Sequence, residues 1–260
     1  MVNNTKITAL IQARMGSSRL PGKVMKTIQK KPMLWHVKNR LSIIKEIDSL
    51  AIATTTLVED KPIFEMAKKN KILCFAGEEK DVLKRFYDIA VKLKSDYIIR
   101  ITADCPFVDP EIISELIKYF FTKKFDYCGI ACGAGVSNKK NIFKYPDGLD
   151  AEIFSMTSLS DANKYAISNI EREHVTPYIW QNITKYKIGS LHPIDADYSN
   201  YRWTVDYKED FDFVKKVYDS LYPQMPLFKF KDILEFLKKN HLLAKNEFLI
   251  GREGYEEFSK

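Results

Sequence analysis

The sequence predicts an α/β protein with a mainly parallel sheet and helices on both faces. Three observations carry this. Short apolar runs alternate along the first 125 residues with longer stretches whose apolar residues recur at helical spacing. The runs are nearly continuous in apolar residues, as strands covered on both faces require. The spacing suits right-handed strand–helix–strand crossovers. A chain of 260 residues holds one large domain, or one domain and a small appendage.

Residues 7–13 (ITALIQA) form the first expected strand, and a polar, glycine-containing loop follows at 14–23. Leu34, Val37, Leu41 and Ile44 then predict a helix that begins near Pro32. Leu50 to Thr55 is the next strand, Pro62 opens a helix, and Ile72 to Phe75 is a short strand. Val82, Leu83, Phe86, Ala90 and Leu93 mark an amphipathic helix, and Tyr97 to Ala103 a strand that ends at Asp104. Asp109-Pro110 is a cap and first-turn proline for the helix that carries Ile113, Leu116 and Phe120.

After about residue 125 the rhythm changes. Residues 126–154 are glycine-dotted and aromatic, which suggests extra strands or a flap reaching a partner or second ligand. A helix is expected over about 171–182. Residues 201–206 (YRWTVD) alternate as a strand does, with Tyr201, Trp203 and Val205 on one face. Helices over 211–221 and 228–239 follow, and the tail from 244 is polar.

Hydrophobic residues make up 45% and charged residues 29%, the mix of a soluble globular protein. No run reaches the roughly 18 apolar residues of a membrane span, and the first apolar stretch is too short for a signal peptide, so a cytoplasmic protein is expected. The net charge of +7 is spread over lysine pairs, such as Lys68-Lys69 and Lys215-Lys216, and makes no nucleic-acid stripe. Cys74, Cys105, Cys128 and Cys132 are expected as reduced, mostly buried thiols, because the four histidines are too scattered to complete a zinc site.

Ligands of open parallel sheets bind outside the carboxyl ends of the strands. The loop there reads Arg14-Met15-Gly16-Ser17-Ser18-Arg19-Leu20-Pro21-Gly22-Lys23. Three cations, two hydroxyls and two glycines suit a polyphosphate, because the backbone can come close and the cations neutralise charge. It is not a Walker A loop, since Val24 follows the lysine. Asp104, at the end of a central strand, is a candidate Mg²⁺ ligand, and Asp206 is its matching partner. Two carboxylates and a basic glycine loop are what transfer from a Mg-nucleotide needs.

ARMGSSRLPGKV, GEEKDVLKRFYDIA, RITADCPFVDP, YPDGLDAEIF, EREHVTPYI and RWTVDYKEDFDFV, in that order, resemble the cytidylyltransferases that make CMP-activated acidic sugars. These are the CMP-KDO synthetases and acylneuraminate cytidylyltransferases, and the nearest branch is the spore-coat polysaccharide biosynthesis type. The resemblance covers about 7–222. It implies a Rossmann-like three-layer α/β/α nucleotidyltransferase fold, spanning 1–243 as one domain, with 126–154 as a flap, dimerisation or acceptor element and 244–260 as a tail. It further implies CTP as donor, Mg²⁺ as cofactor, pyrophosphate as leaving group and a homodimer.

Carried over by position, Arg14, Gly16, Ser17, Ser18, Arg19 and Lys23 would hold the triphosphate. Backbone around Ala13 would lie near the base, and Asp104 and Asp206 would ligate Mg²⁺. The Cys105-Pro106-Phe107 spacer and the segment 145–154 depart from the acceptor regions of the sugar-acid enzymes, so the acceptor does not carry over. Tyr145, Asp147, Asp150, Glu152, Arg172, Glu173 and His174 are the acceptor-pocket candidates; Arg172-Glu173-His174 reads equally as a helix start with an internal ion pair. Two other classes stay open at this point: a glycosyltransferase using Asp195-Ala-Asp197 as a metal motif, and an idle nucleotide-binding protein.

Overall fold

A computed structural model describes residues 5–132 and 142–240. The main sheet contains β1 (Ile7–Gln12), β4 (Ser49–Thr55), β5 (Leu73–Gly77), β6 (Tyr97–Thr102), β7 (Tyr127–Ile130), β8 (Glu152–Ser155) and β9 (Ile188–Leu191). Their spatial order is β5-β4-β1-β6-β8-β7-β9. Of these only β8 runs against the rest, paired antiparallel to both β6 and β7. A small antiparallel ribbon, β2 (Thr27–Ile28) with β3 (Lys31–Pro32), turns through Gln29 and Lys30, both at positive φ.

Helices α1 (Met33–Leu41), α2 (Lys61–Lys69), α4 (Pro110–Lys123), α8 (Lys208–Leu221) and α9 (Phe230–Lys239) share one core with Ala9 and Ile11 of β1. Helices α3 (Val82–Leu93), α5 (Met156–Tyr165) and α7 (Pro177–Gln181) share the other with Leu10. Strand side chains alternate between faces, so consecutive residues of β1 feed opposite cores. This is the expected three-layer α/β/α arrangement. The anticipated capping of α4 is present, with Asp109 accepting from the N–H groups of Glu111 and Ile112 and Pro110 opening the helix.

The structure departs from the sequence expectations in three places. The helix expected over 171–182 is two, α6 (Asn169–His174) and α7, because Val175 takes φ of 72° and Pro177 starts a new turn. Residues 201–206 form a single bridge, Asp147 to Arg202, instead of a strand, and all of them but Tyr201 are buried. Their neighbours are loops: Trp203 N–H donates to the Asp147 carbonyl and Val205 N–H to that of Asp104. The stretch 126–154 begins and finishes in the main sheet as β7 and β8; its residues 133–141, and the tail 244–260, lie outside the described residues.

Among the described residues no helix is long and apolar enough to cross a membrane. Cys105, Cys128 and Cys132 are buried free thiols and Cys74 is half-buried, in keeping with a packing role.

Candidate active site

The loop after β1 is held from below. Ala13 N–H still bonds to the Ala53 carbonyl, and Met15 N–H donates to Asp60 at 2.6 Å. Asp60 is buried and also accepts from both hydroxyls of Thr54 and Thr55 and from the Thr55 N–H. One oxygen of Asp60 thus fixes the path of the loop, while the other is held by the end of β4. Leu20 and Val24 anchor the far end in the core, and Gly22 turns the chain at φ of 67° into the helical turn that starts at Lys23. Between these anchors Arg14, Gly16, Ser18 and Arg19 face solvent, while the Ser17 hydroxyl accepts from Leu20 N–H.

Lys23 reaches inward. Its Nζ donates to Asp104 Oδ2 at 2.8 Å, to Asp206 Oδ1 at 2.9 Å and to the Val205 carbonyl at 2.8 Å. Burial alone would lower the pKa of this ammonium, but Asp104 and Asp206 outweigh it and raise it. Asp104 is desolvated too, yet Lys23 holds its carboxyl below the usual range. Arg19 adds a second cation 3.0 Å from Asp206, its guanidinium over the Tyr207 ring.

Asp206 arrives here because Arg202 clamps its segment. The Arg202 guanidinium bonds Asp147 at 2.9 Å, Asp206 at 2.8 Å and Asp210 at 3.3 Å. Asp210 in turn accepts from the N–H groups of Asp206 and Tyr207, capping α8. Gly148 lets the strap pass, since a Cβ there would lie 2.3 Å from the Thr204 nitrogen. Two hard oxygen donors within bonding distance of one nitrogen, opening toward a cationic loop, fit Mg²⁺, which takes one or two carboxylates and completes its shell with water and phosphate. Among the described residues no cluster of three or more metal-ligating side chains occurs.

At the start of the same loop an open cleft of about 500 Å³ lies against Ala13 and Arg14, walled by Glu79, Lys80, Arg85 and Glu173. Arg14 and Glu79 meet across its rim at 3.2 Å. Below it, the cross-strand neighbours Arg100 and Glu152 pair at 2.7 Å. Arg100 also donates to Gln12, while Tyr127 and Thr176 hydroxyls donate to Glu152. Glu152 is therefore a half-buried acceptor of three donors. His174 lies close enough to this pair that burial first, and Arg100 second, lower its pKa.

The remaining acceptor candidates are dispersed. Tyr145 is buried edge-on to Phe230, and Asp147 belongs to the Arg202 clamp. Asp150 accepts from Gly148 N–H in the turn below it. Arg172 makes no pair inside its own helix; it grips Asp81, the cap of α3, through two nitrogens, and also bonds Asn163. Asp195 and Asp197 spend their oxygens on nearby N–H and hydroxyl groups of residues 196–199 and on Lys144 N–H, the pattern of turn-formers rather than of a metal motif. Asp60, Arg85 and Asp210 were not anticipated. Asp60 had one signal, an acidic residue just ahead of a helix-opening Pro62. Their bonding partners are groups that nothing in the sequence pattern marks.

The family model described as cytidylyltransferase matches residues 8–249. The chain belongs to the cytidylyltransferase family. Cytidylyl transfer from CTP is the general activity that membership brings. The chain is 34% identical to the uncharacterized protein MJ1063 of Methanocaldococcus jannaschii, over 97% of this chain and 98% of that one. It is 31% identical to the spore coat polysaccharide biosynthesis protein SpsF of Bacillus subtilis, over 90% and 95%. A solved cytidylyltransferase from Leptospira borgpetersenii superposes with a TM-score of 0.82 at 31% identity, covering 92% of this chain and 96% of that one. A CMP-2-keto-3-deoxy-manno-octonic acid synthetase crystallised with CTP superposes at 0.63 with 15% identity, covering 83% and 99%, a likeness of fold alone.

Proposed function

We propose that this cytidylyltransferase moves CMP from Mg-CTP to a hydroxyl of a sugar or sugar acid for a surface polysaccharide or glycan, releasing pyrophosphate. One observation carries the reading: Lys23 joins Asp104 to Asp206 beneath an arginine-bearing loop whose start lines an open cleft at Ala13. The similarity to a spore coat polysaccharide protein supports the class of acceptor. Bound through Asp104 and Asp206, Mg²⁺ would supply charge neutralisation at the phosphates and acidify the attacking hydroxyl.

The chain's own residues do the rest. Arg14, Arg19 and Lys23 orient the triphosphate and offset charge that develops toward pyrophosphate, while N–H groups and hydroxyls at Gly16, Ser17 and Ser18 receive phosphate oxygens. Ala13 and the opposite wall seat the base. The acceptor enters from the Asn169–Glu173 side of the cleft. In-line attack on the α-phosphate then needs positioning more than proton transfer. Pyrophosphate release with CTP and a panel of sugar acids and sugar phosphates tests the reading; no release with any of them overturns it. The homodimer is part of the same proposal, and light scattering on the purified chain decides it.

A further inference from the structure

Arg85 lies on α3, outside the phosphate loop and the carboxylate cluster, yet it walls the cleft and is only 3% exposed. One of its nitrogens donates to the Glu78 carbonyl at 2.7 Å and to the Glu79 carbonyl at 3.1 Å. Its Nε is buried with no hydrogen-bond partner among the described residues. Its stem crosses Gly77, where a Cβ would meet Arg85 Cγ at 2.9 Å. Glycine at 77 and arginine at 85 therefore act as one device, aimed at the two peptide units that leave the carboxyl end of β5.

Those peptide units are trans. In a trans peptide the carbonyl and the following N–H point to opposite sides. Two carbonyls turned onto one guanidinium nitrogen thus send the N–H groups of Glu79 and Lys80 the other way. Neither N–H has a protein acceptor among the described residues, and both residues line the cleft.

We propose that Arg85 is the positioning residue for base selection: it presents the Glu79 and Lys80 N–H groups as adjacent donors to the pyrimidine of the nucleotide. Cytosine offers two adjacent acceptors, O2 and N3. Uracil offers O2 but carries a proton on N3, so one wall N–H would meet another donor. A buried donor without an acceptor is costly, so this single edge separates the two bases. The inference rests on the cytidylyl reading and adds to it the residue that enforces it.

The test is calorimetric titration of the full-length chain with CTP, UTP, ATP and 3-deaza-CTP in Mg²⁺, for wild type, Arg85→Met and Arg85→Lys. Arg85→Met should cut the CTP-over-UTP preference about tenfold or more, mostly by weakening CTP, with Arg85→Lys between it and wild type. Equal losses for CTP and UTP, with the preference kept, would reduce Arg85 to a structural role and overturn the proposal. The analogue covers a variant that does not fold: 3-deaza-CTP, with C–H at position 3, should bind wild type about tenfold more weakly than CTP. Binding equal to CTP overturns the proposal in that arm. A wild-type chain that favours ATP over CTP removes the cytidylyl reading itself, a result the Arg85 variants cannot mimic.

Discussion

Lys23 Nζ lies 2.8 Å from Asp104 Oδ2 and 2.9 Å from Asp206 Oδ1, so one ammonium bridges both carboxylates of the candidate metal site. A divalent cation held by Asp104 and Asp206 would use the oxygens that Lys23 binds. Lys23 would then be free to face the phosphates of a nucleotide.

Lys23→Met should therefore have two separable effects. Without Mg²⁺ it leaves two carboxylates facing each other and lowers stability by about 1–3 kcal/mol. Millimolar Mg²⁺ should restore more stability to this variant than it adds to wild type, as thermal melts would record. CTP affinity should fall about tenfold or more, the loss of one charge-assisted contact to phosphate. Unchanged affinity and turnover would remove Lys23 from the triphosphate site.

Asp104→Asn and Asp206→Asn should each lower Mg²⁺-dependent turnover by about a hundredfold or more, the scale of losing one transition-state contact. The two differ in stability. Asp206 also accepts from Arg202, so its replacement disturbs the clamp and lowers the melting temperature further than Asp104→Asn does. An Asp206→Asn enzyme with wild-type Mg²⁺ dependence would make that residue purely structural.

Gly148→Ala tests the strap. Gly148 sits at φ of 102°, and a Cβ would press on the Trp203 and Thr204 backbone. Backbone cannot swing aside as a side chain can. The cost should be about 3 kcal/mol or more, with activity lost in step because Asp206 lies two residues beyond Thr204. Chemical denaturation and pyrophosphate release, measured together, decide it.

The fourth prediction concerns pH. His36 is buried, its Nε2 lies 2.8 Å from the Ile28 carbonyl, and it packs on Tyr218. Burial first, and nearby Arg40 and Lys31 with it, hold its pKa below the ordinary value, against the pull of the Ile28 carbonyl. His174 is lowered in the same direction. Below about pH 6.5 the unfolded chain takes up protons that the folded one refuses, so stability should fall as pH drops from 7 toward 5. His36→Phe should flatten that slope in part, leaving the share of His174. A melting temperature independent of pH over this range would contradict the assignment.

The sequence disclosed more of the site than of the wiring behind it. The loop 14–23, Asp104 and Asp206, whose side chains the structure brings together through Lys23, could be singled out because each follows an apolar or alternating run, and strand ends are where ligands bind. The two halves of the sheet differed in legibility. β1, β4 and β6 are long and apolar, whereas β9 is Ile-Gly-Ser-Leu, too short and polar to announce itself. α5 buries only Ser158, Leu159 and Ala162, too narrow a stripe to stand out. Arg172 and Arg202 could not be assigned from the chain alone. A charged residue carries no mark of its partner, and Asp81 lies 91 residues from Arg172.

The strap from residue 201 to 206 also sets when, in the life of each molecule, the centre comes into being. Lys23 and Asp206 are separated by 183 positions. A polypeptide still emerging from the ribosome can form β1, β4, β5 and β6 and expose its lysine and first aspartate long before the second is made. Contacts this distant along the chain close late, after the loop entropy has been met elsewhere. A half-made chain would then present cations around one carboxylate, a weak hold on a magnesium nucleotide. Competence would arrive abruptly, once the 201–206 segment has emerged.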